Sequence, residues 1–187
     1  NEAFYRHFGV SPSRFIRMHF PIDLAAYKAC FAAREALSNK IRQQYEINAG
    51  ELVISVVGKL VPWKNQDHLI AALAVLENQG IRLHLFMLGS GPLLDAWKEK
   101  AAVLRQSKVY FPGFVGIDEL PAYYAATDIY AHPASAEPHS IAVSEAIFMG
   151  CPVIISDRCG SYGESDDVQE GINGFVYPFG DINALAE

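Results

Sequence analysis

The chain has little cysteine: Cys30, Cys151 and Cys159 are odd in number and show no paired spacing of the kind that holds zinc. With no secretory signal ahead of them, these thiols fit a reducing, cytoplasmic compartment and argue against a disulfide-stapled fold. No apolar run reaches the roughly 20 residues needed to span a bilayer. Basic residues are not in excess either. The net charge of −6 argues against a nonspecific nucleic-acid binder and leaves room only for a local cationic patch. There is no Asp-x-Asp pair to hold a divalent cation, and no loop in which a second glycine precedes Lys-Ser or Lys-Thr, so a Walker site is excluded. The sequence also lacks an initiator methionine and stops at Glu187 within an apparent helix, so it is expected to be a piece of a longer protein.

What the chain does have is length for one full core, at 187 residues, and a regular alternation of apolar runs. Residues 1–48 read differently from the rest, with helical stretches around 25–45 and a short apolar segment, 15–20, closed by Pro21. They are expected to form a lead-in segment and interdomain linker, and residues 49–187 a domain. Residues 52–58 are a continuous β-rich run, and Leu69, Ala72, Leu73 and Leu76 line one face of the helix that follows, which stops at Gly80. Residues 83–88 make the next strand. Gly91 and Pro92 open a helix bearing Leu93, Trp97, Ala101 and Leu104, with the proline at its first position, where no N–H is missed. Residues 109–111 and 129–131 are strands on either side of a short helix marked by Leu120, Tyr123 and Tyr124. A fifth strand lies within 152–157, and a sixth at 175–177 after the Asn173-Gly174 turn. Asp181 can cap a final helix.

Strand and helix alternate, and the strands are continuously apolar, as they are when both faces of a sheet are covered. The expected fold is therefore α/β, a Rossmann-like doubly wound parallel sheet. Ligands of such sheets bind beyond the carboxyl ends of the strands, which selects the loops 58–65, 89–92, 112–117, 132–140 and 157–164.

The stretch 132–157 stands out among these. Glu137 and Glu145 are eight positions apart, the first in a Pro-rich turn and the second inside an apolar run that reads as a buried helix from Ser140 to Gly150, with Pro152 forbidding its continuation. A carboxylate on a helix that is apolar nearly all round is costly unless a partner or a wet cleft receives it. Glu145 is thus either an ion-pair or capping residue, or part of an anion site at the helix start, where backbone N–H groups are free and Glu137, His139 and Ser140 would line the same cleft.

The remaining loops carry their own signals. Gly58 to Lys64 places two cations, Lys59 and Lys64, after the first strand, and Gly58 allows close backbone approach; an anionic ligand is implied. Gly89-Ser90-Gly91 begins like a dinucleotide fingerprint, but its third glycine position is Leu94, so a tight turn is the better account. Glu164, Asp166 and Asp167 share a loop without a nearby histidine and read as solvated. His132 and His139 flank the Glu137 turn, each as a local hydrogen-bonding residue or a catalytic base.

Glu137-Pro-His-Ser-Ile-Ala-Val-Ser-Glu145, continued by Ala146 and Gly150-Cys-Pro-Val-Ile-Ile-Ser-Asp157, resembles the Glu-x7-Glu motif of the family-four retaining glycosyltransferases. Val57-Gly58-Lys59-Leu60 with Lys64 is similar to that family's Gly-Arg-Leu...Lys phosphate loop. Leu88 to Pro92, Phe111 to Val115, Gly160 to Glu164 and Gly171 to Gly174 fall in the same order, so the likeness covers about residues 48–187, and Pro21-Ile-Asp23 resembles the family's interdomain connection. The resemblance implies a GT-B architecture, of which this chain is the C-terminal, donor-binding half and from which an N-terminal acceptor-binding half is missing.

Carried over by position, Lys59 and Lys64 would hold the diphosphate with Gly58 beside them, and Glu137 would take the sugar hydroxyls. His139, Ser140 and Ile141 would offer backbone N–H groups, Glu145 would hold the ribose diol, and Phe114 and Val115 would border the base. No metal and no cofactor are implied, since the nucleotide diphosphate sugar is a substrate, and any peripheral membrane contact would fall to the missing half. The chain departs from the family where Lys59 replaces Arg, Ala134 a frequent Ser, Pro138-His139-Ser140 the common Gly-Phe-Gly and Ser161 a Gly. A GT-B nucleotide-sugar epimerase and a binding module without catalysis are the alternatives; the Glu-x7-Glu run with two lysines favours the transferase.

Overall fold

Short apolar runs that must bury both faces become the centre of a sheet, and the computed structural model, which describes residues 2–16, 21–163 and 166–187, has six strands. They are β1 (Val53–Val57), β2 (His84–Leu88), β3 (Lys108–Gly113), β4 (Ile129–His132), β5 (Val153–Ser156) and β6 (Gly174–Tyr177). All pairs are parallel and the order is β3-β2-β1-β4-β5-β6. The chain runs outward from β1 through β2 and β3, then returns to the other side of β1 and runs outward again. Loops at the carboxyl ends of β1 and β4 therefore diverge to opposite faces and leave a crevice between them.

Among the described residues eight α-helices accompany the sheet: α1 (Glu2–His7), α2 (Leu24–Ala32), α3 (Arg34–Gln44), α4 (Asp67–Asn78), α5 (Leu94–Ala101), α6 (Leu120–Ala126), α7 (Ile141–Phe148) and α8 (Ile182–Ala186). Alternate side chains of each strand feed one of two cores. Phe86 and Leu88 pack with Tyr27, Ile41, Tyr124 and Val143 on one face; Leu85 and Met87 pack with Leu69, Leu73, Trp97 and Leu185 on the other. Helices on both faces explain why the strands lack polar alternation.

The segment preceding the sheet contributes to the first core through Tyr27, Ile41 and Ile47. Asp23 caps α2 by accepting from the amides of Ala25 and Ala26. The Arg42 guanidinium on α3 bonds Asp128 Oδ2 at 2.7 Å, and the same oxygen accepts from the Val53 amide at 2.8 Å, so one carboxylate joins α3, the start of β1 and the approach to β4. Of the apolar segment 15–20, residues 17–20 lie outside the described residues. The three cysteines are unpaired, and Asp181 caps α8 through the Ala184 amide.

One local expectation is corrected and one is extended. Pro92 is not the first residue of α5: it lies in a turn, and the helix opens at Leu94. Gly89 and Gly91 do more than make that turn. A Cβ on Gly89 would lie 1.9 Å from the Gly58 carbonyl oxygen, and one on Gly91 would lie 2.3 Å from that of Leu60. Bare backbone lets the β2 loop press against the β1 loop, where Leu60 N–H donates to Ser90 O at 3.0 Å and Leu93 N–H to Leu60 O at 3.2 Å.

Gly89 has φ +137°, which L side chains rarely adopt, so Gly89→Ala combines strain with a backbone collision. It should destabilise the fold by about 1 to 3 kcal/mol. Gly116→Ala, where nothing lies within 4 Å of the added carbon, should stay within about 0.5 kcal/mol of the parent. Urea midpoints of the two variants make the comparison.

Candidate functional site

The first wall of the crevice is the loop after β1. Gly58 (φ +153°) turns the backbone out of the strand, a 3-10 turn forms over Pro62–Lys64, and Asn65 takes a left-handed conformation. Gln66, fully buried, donates Nε2 to the Lys59 carbonyl at 3.0 Å and holds the loop from behind. The second wall is the loop after β4. Ser135 joins the two, its amide donating to Trp63 O at 2.9 Å and to the Asn65 side chain at 3.1 Å. This tie brings the Lys64 ammonium into an ion pair with the Glu137 carboxylate.

Glu137 is also within 3.4 Å of His132 Nε2, at the end of β4. The His132 hydrogen bond and the Lys64 charge hold its carboxyl down at about 2 against the opposing effect of partial burial. His132 is displaced downward, since burial of the ring outweighs the attraction of Glu137 and the ring stays neutral near pH 7. The Glu137 turn is closed from the β5 side, where Gly160 donates its amide to Glu137 O at 2.7 Å and where a Cβ would meet Pro138 O at 2.3 Å.

Beyond the turn, α7 begins with Ser140 at its N-cap. The Ser140 amide, expected to be offered to a ligand, already donates to Ser161 Oγ at 2.9 Å. Among the described residues no acceptor meets the amides of Ile141 and Ala142, which open the helix. His139 faces inward: its Nε2 is 3.4 Å from Asp167 Oδ2 and 3.5 Å from Ser144 Oγ, and Ser144 also bonds Asp167. Asp167 is thus no solvated loop acid, because a histidine brought near by the fold and a helix serine engage it. Glu164 lies outside the described residues.

These groups collect at the carboxyl ends of β1 and β4, where ligands of such sheets bind, and residues 38–187 match the family described as glycosyl transferases group 1. The chain belongs to that family. It is 29% identical over 165 residues to the GDP-mannose-dependent alpha-(1-6)-phosphatidylinositol monomannoside mannosyltransferase of Mycobacterium tuberculosis, a match covering 84% of this chain and 42% of that protein. It is 28% identical to the alpha-monoglucosyldiacylglycerol synthase of Streptococcus pneumoniae over 78% of this chain and 36% of the relative. Among solved structures, Anabaena Alr3699/HepE in complex with UDP-glucose superposes with a TM-score of 0.66 and 28% identity, covering 81% of this chain and 41% of that one. The chain spans less than half the length of these relatives.

In this glycosyltransferase-family domain the structure brings Lys64, which packs beside Gly58, against Glu137, while Lys59 is exposed on the same loop, His139 is turned onto Asp167 and Ser144, and Ile141 opens α7. Phe114, 81% exposed, and half-buried Val115 follow the end of β3. Glu145 points from α7 toward α6, where the Tyr124 hydroxyl donates to its Oε2 at 3.0 Å. It was expected to find its partner in a ligand, and one partner is protein. Burial raises its carboxyl above the ordinary value, and the same carboxylate helps to raise the buried Tyr27 phenol.

Sequence reasoning missed Tyr124 as the partner of Glu145 and Asp167 as the partner of Ser144; polar side chains within apolar helices were the available signal. Among the described residues no group of three or more His, Cys, Asp or Glu side chains could hold a metal ion, and no helix is long and apolar enough to cross a membrane. Two further concavities lie away from the crevice, one of about 400 Å³ by Glu51, Arg82 and His84 and one of about 480 Å³ by Arg34, Arg42 and Asp128.

The two glutamates should respond oppositely to pH. Glu137 is depressed, so its contribution to stability is present above its ordinary value of 4.5 and is lost as pH falls toward about 2. The urea-midpoint gap between the parent and Glu137→Gln should close over that window. Glu145 is raised, so its contribution is full below 4.5 and is lost as pH rises through the folded value. Glu145→Gln should match the parent in acid and be equally or more stable at neutral pH.

Proposed function

We propose that this domain binds a nucleotide diphosphate sugar and that, together with an acceptor-binding half outside the present sequence, it transfers the sugar with retention and without a metal ion. The observation that carries this reading is the meeting of Lys64 with Glu137 across the crevice between β1 and β4 in a chain of this family. One relative is named for GDP-mannose and one solved neighbour holds UDP-glucose. These differ in base and in sugar, and what they share is the class carried over here.

The chemistry follows from the charges. As a glycosidic bond to diphosphate breaks, the leaving group gains negative charge, and cations already held in place stabilise it more in the transition state than in the ground state. Lys59 and Lys64 supply the cations, and the open amides of α7 add dipoles of the same sign. Glu137, ionised at neutral pH, accepts hydrogen bonds from the sugar hydroxyls. Glu145, which accepts from Tyr124 and has Tyr27 close by, takes the ribose diol. Phe114 lies beside the base.

Calorimetry separates these roles. Glu145→Ala should weaken a plain nucleotide diphosphate and its sugar conjugate alike, by about 1.5 to 3 kcal/mol per charge-assisted hydrogen bond lost. Glu137→Ala should spare the plain diphosphate, since it releases Lys64 from its ion pair, and should weaken the conjugate. Equal losses at Glu137 for the two ligands would return it to a structural role. Affinity should be unchanged in EDTA; a collapse reversed by magnesium or manganese would overturn the metal-free assignment.

A further inference from the structure

We propose that His132 is a positioning residue: from its buried place at the end of β4 it fixes one oxygen of Glu137 and so aims the other at the donor sugar. The inference rests on the donor-binding reading of the crevice. His132 Nε2 and Lys64 Nζ both reach Glu137 Oε2, and among the described residues nothing reaches Oε1. A carboxylate whose two protein donors converge on one oxygen presents the lone pairs of the other to whatever enters the crevice.

Behind His132 stands Tyr130, also fully buried, with its hydroxyl 3.4 Å from Nδ1 and the two rings stacked at 21°. A neutral imidazole has one donor and one acceptor nitrogen. An ionised Glu137 can only accept, which assigns the ring proton to Nε2 and leaves Nδ1 to accept from the phenol. The opposite tautomer would set a lone pair against the carboxylate. The charged and titratable groups facing the ring are Glu137 from its own loop, Lys64 from the β1 loop and Tyr130 from β4. Burial keeps the ring neutral, and a neutral ring does not cancel the charge that Glu137 offers to hydroxyls.

Lys64 alone would hold Glu137 poorly. Its ammonium is a point charge on a flexible stem, and an arriving diphosphate competes for it. His132 is rigid, neutral and behind the strand end, so it has no attraction to phosphate. When Lys64 is drawn toward the diphosphate, His132 is the donor that stays.

The test uses His132→Leu, which removes the donor, His132→Gln, which keeps one, and Tyr130→Phe, which deletes only the hydroxyl behind the ring. A carbon-detected NMR titration of Glu137 and calorimetry with UDP, GDP and their glucose and mannose conjugates provide the readouts. In His132→Leu the Glu137 inflection should move up from about 2. Affinity for the bound conjugate should fall about tenfold or more while that for the plain diphosphate stays within about twofold, as expected for one lost hydrogen bond to a charged group. His132→Gln should restore both readouts, and Tyr130→Phe should shift them less, in the same direction. An unmoved Glu137 inflection in His132→Leu, or equal losses for both ligands, would overturn the proposal. If the parent binds none of these ligands while the Glu137 titration still responds to His132→Leu, the donor-binding reading is what falls, and the sugar falls with it as the object of the positioning.

Discussion

Between β1 and β4 the chain reverses its direction of travel across the sheet, and the pair formed by Lys64 and Glu137 spans the crevice left there. Neither residue could reach the other without backbone support on both sides. Gly89 and Gly91 let the β1 and β2 loops press together. Gln66 pins the β1 loop from below, Ser135 links it to the β4 loop, and Gly160 closes the β5 loop on the Glu137 turn. An exposed ion pair of this kind would add little. Here both side chains are mostly withdrawn from water, and their geometry is set by loops that have little room to move.

The two glutamates show how one helix start can hold carboxylates of opposite character. Glu137 sits among donors and is ionised over the whole neutral range, whereas Glu145 sits among tyrosines, and its burial favours the protonated form. A ligand group that donates hydrogen bonds to Glu145 favours ionisation and offsets the desolvation that raises it. The raised Glu145 and the depressed Glu137 are complementary: the first would gain from a ligand that donates, and the second could accept from one without a change of charge state.

Much of the fold was legible because continuous apolar strands between amphipathic helices leave few other arrangements. The six strands appear within a residue or two of the runs that announced them, and Asp181 caps the helix it preceded. What escaped depends on contacts far apart in the chain. The occupied Ser140 amide is a matter of Ser161, and the engagement of Asp167 is a matter of Ser144 and His139, each brought together by loop closure with no local pattern to mark it. Pro92 was misplaced because a proline suits a turn before a helix as well as its first position, and only the packing of Gly91 against Leu60 decides. The spacing of Glu137 and Glu145 could not tell that one would meet a lysine and the other a tyrosine hydroxyl.

Under the proposed function, the Lys64–Glu137 pair also limits what the crevice gains from a ligand. A diphosphate that enters must share Lys64 with Glu137, so part of the attraction it gains is offset by weakening of a contact already made. A sugar attached to that diphosphate reverses the balance, because its hydroxyls give Glu137 new donors as Lys64 moves toward phosphate. Under the proposed function the two halves of such a ligand would be coupled through one ion pair, each bound better when the other is present. Discrimination between a whole donor and its spent nucleotide would, under the proposed function, follow from electrostatics at this single contact.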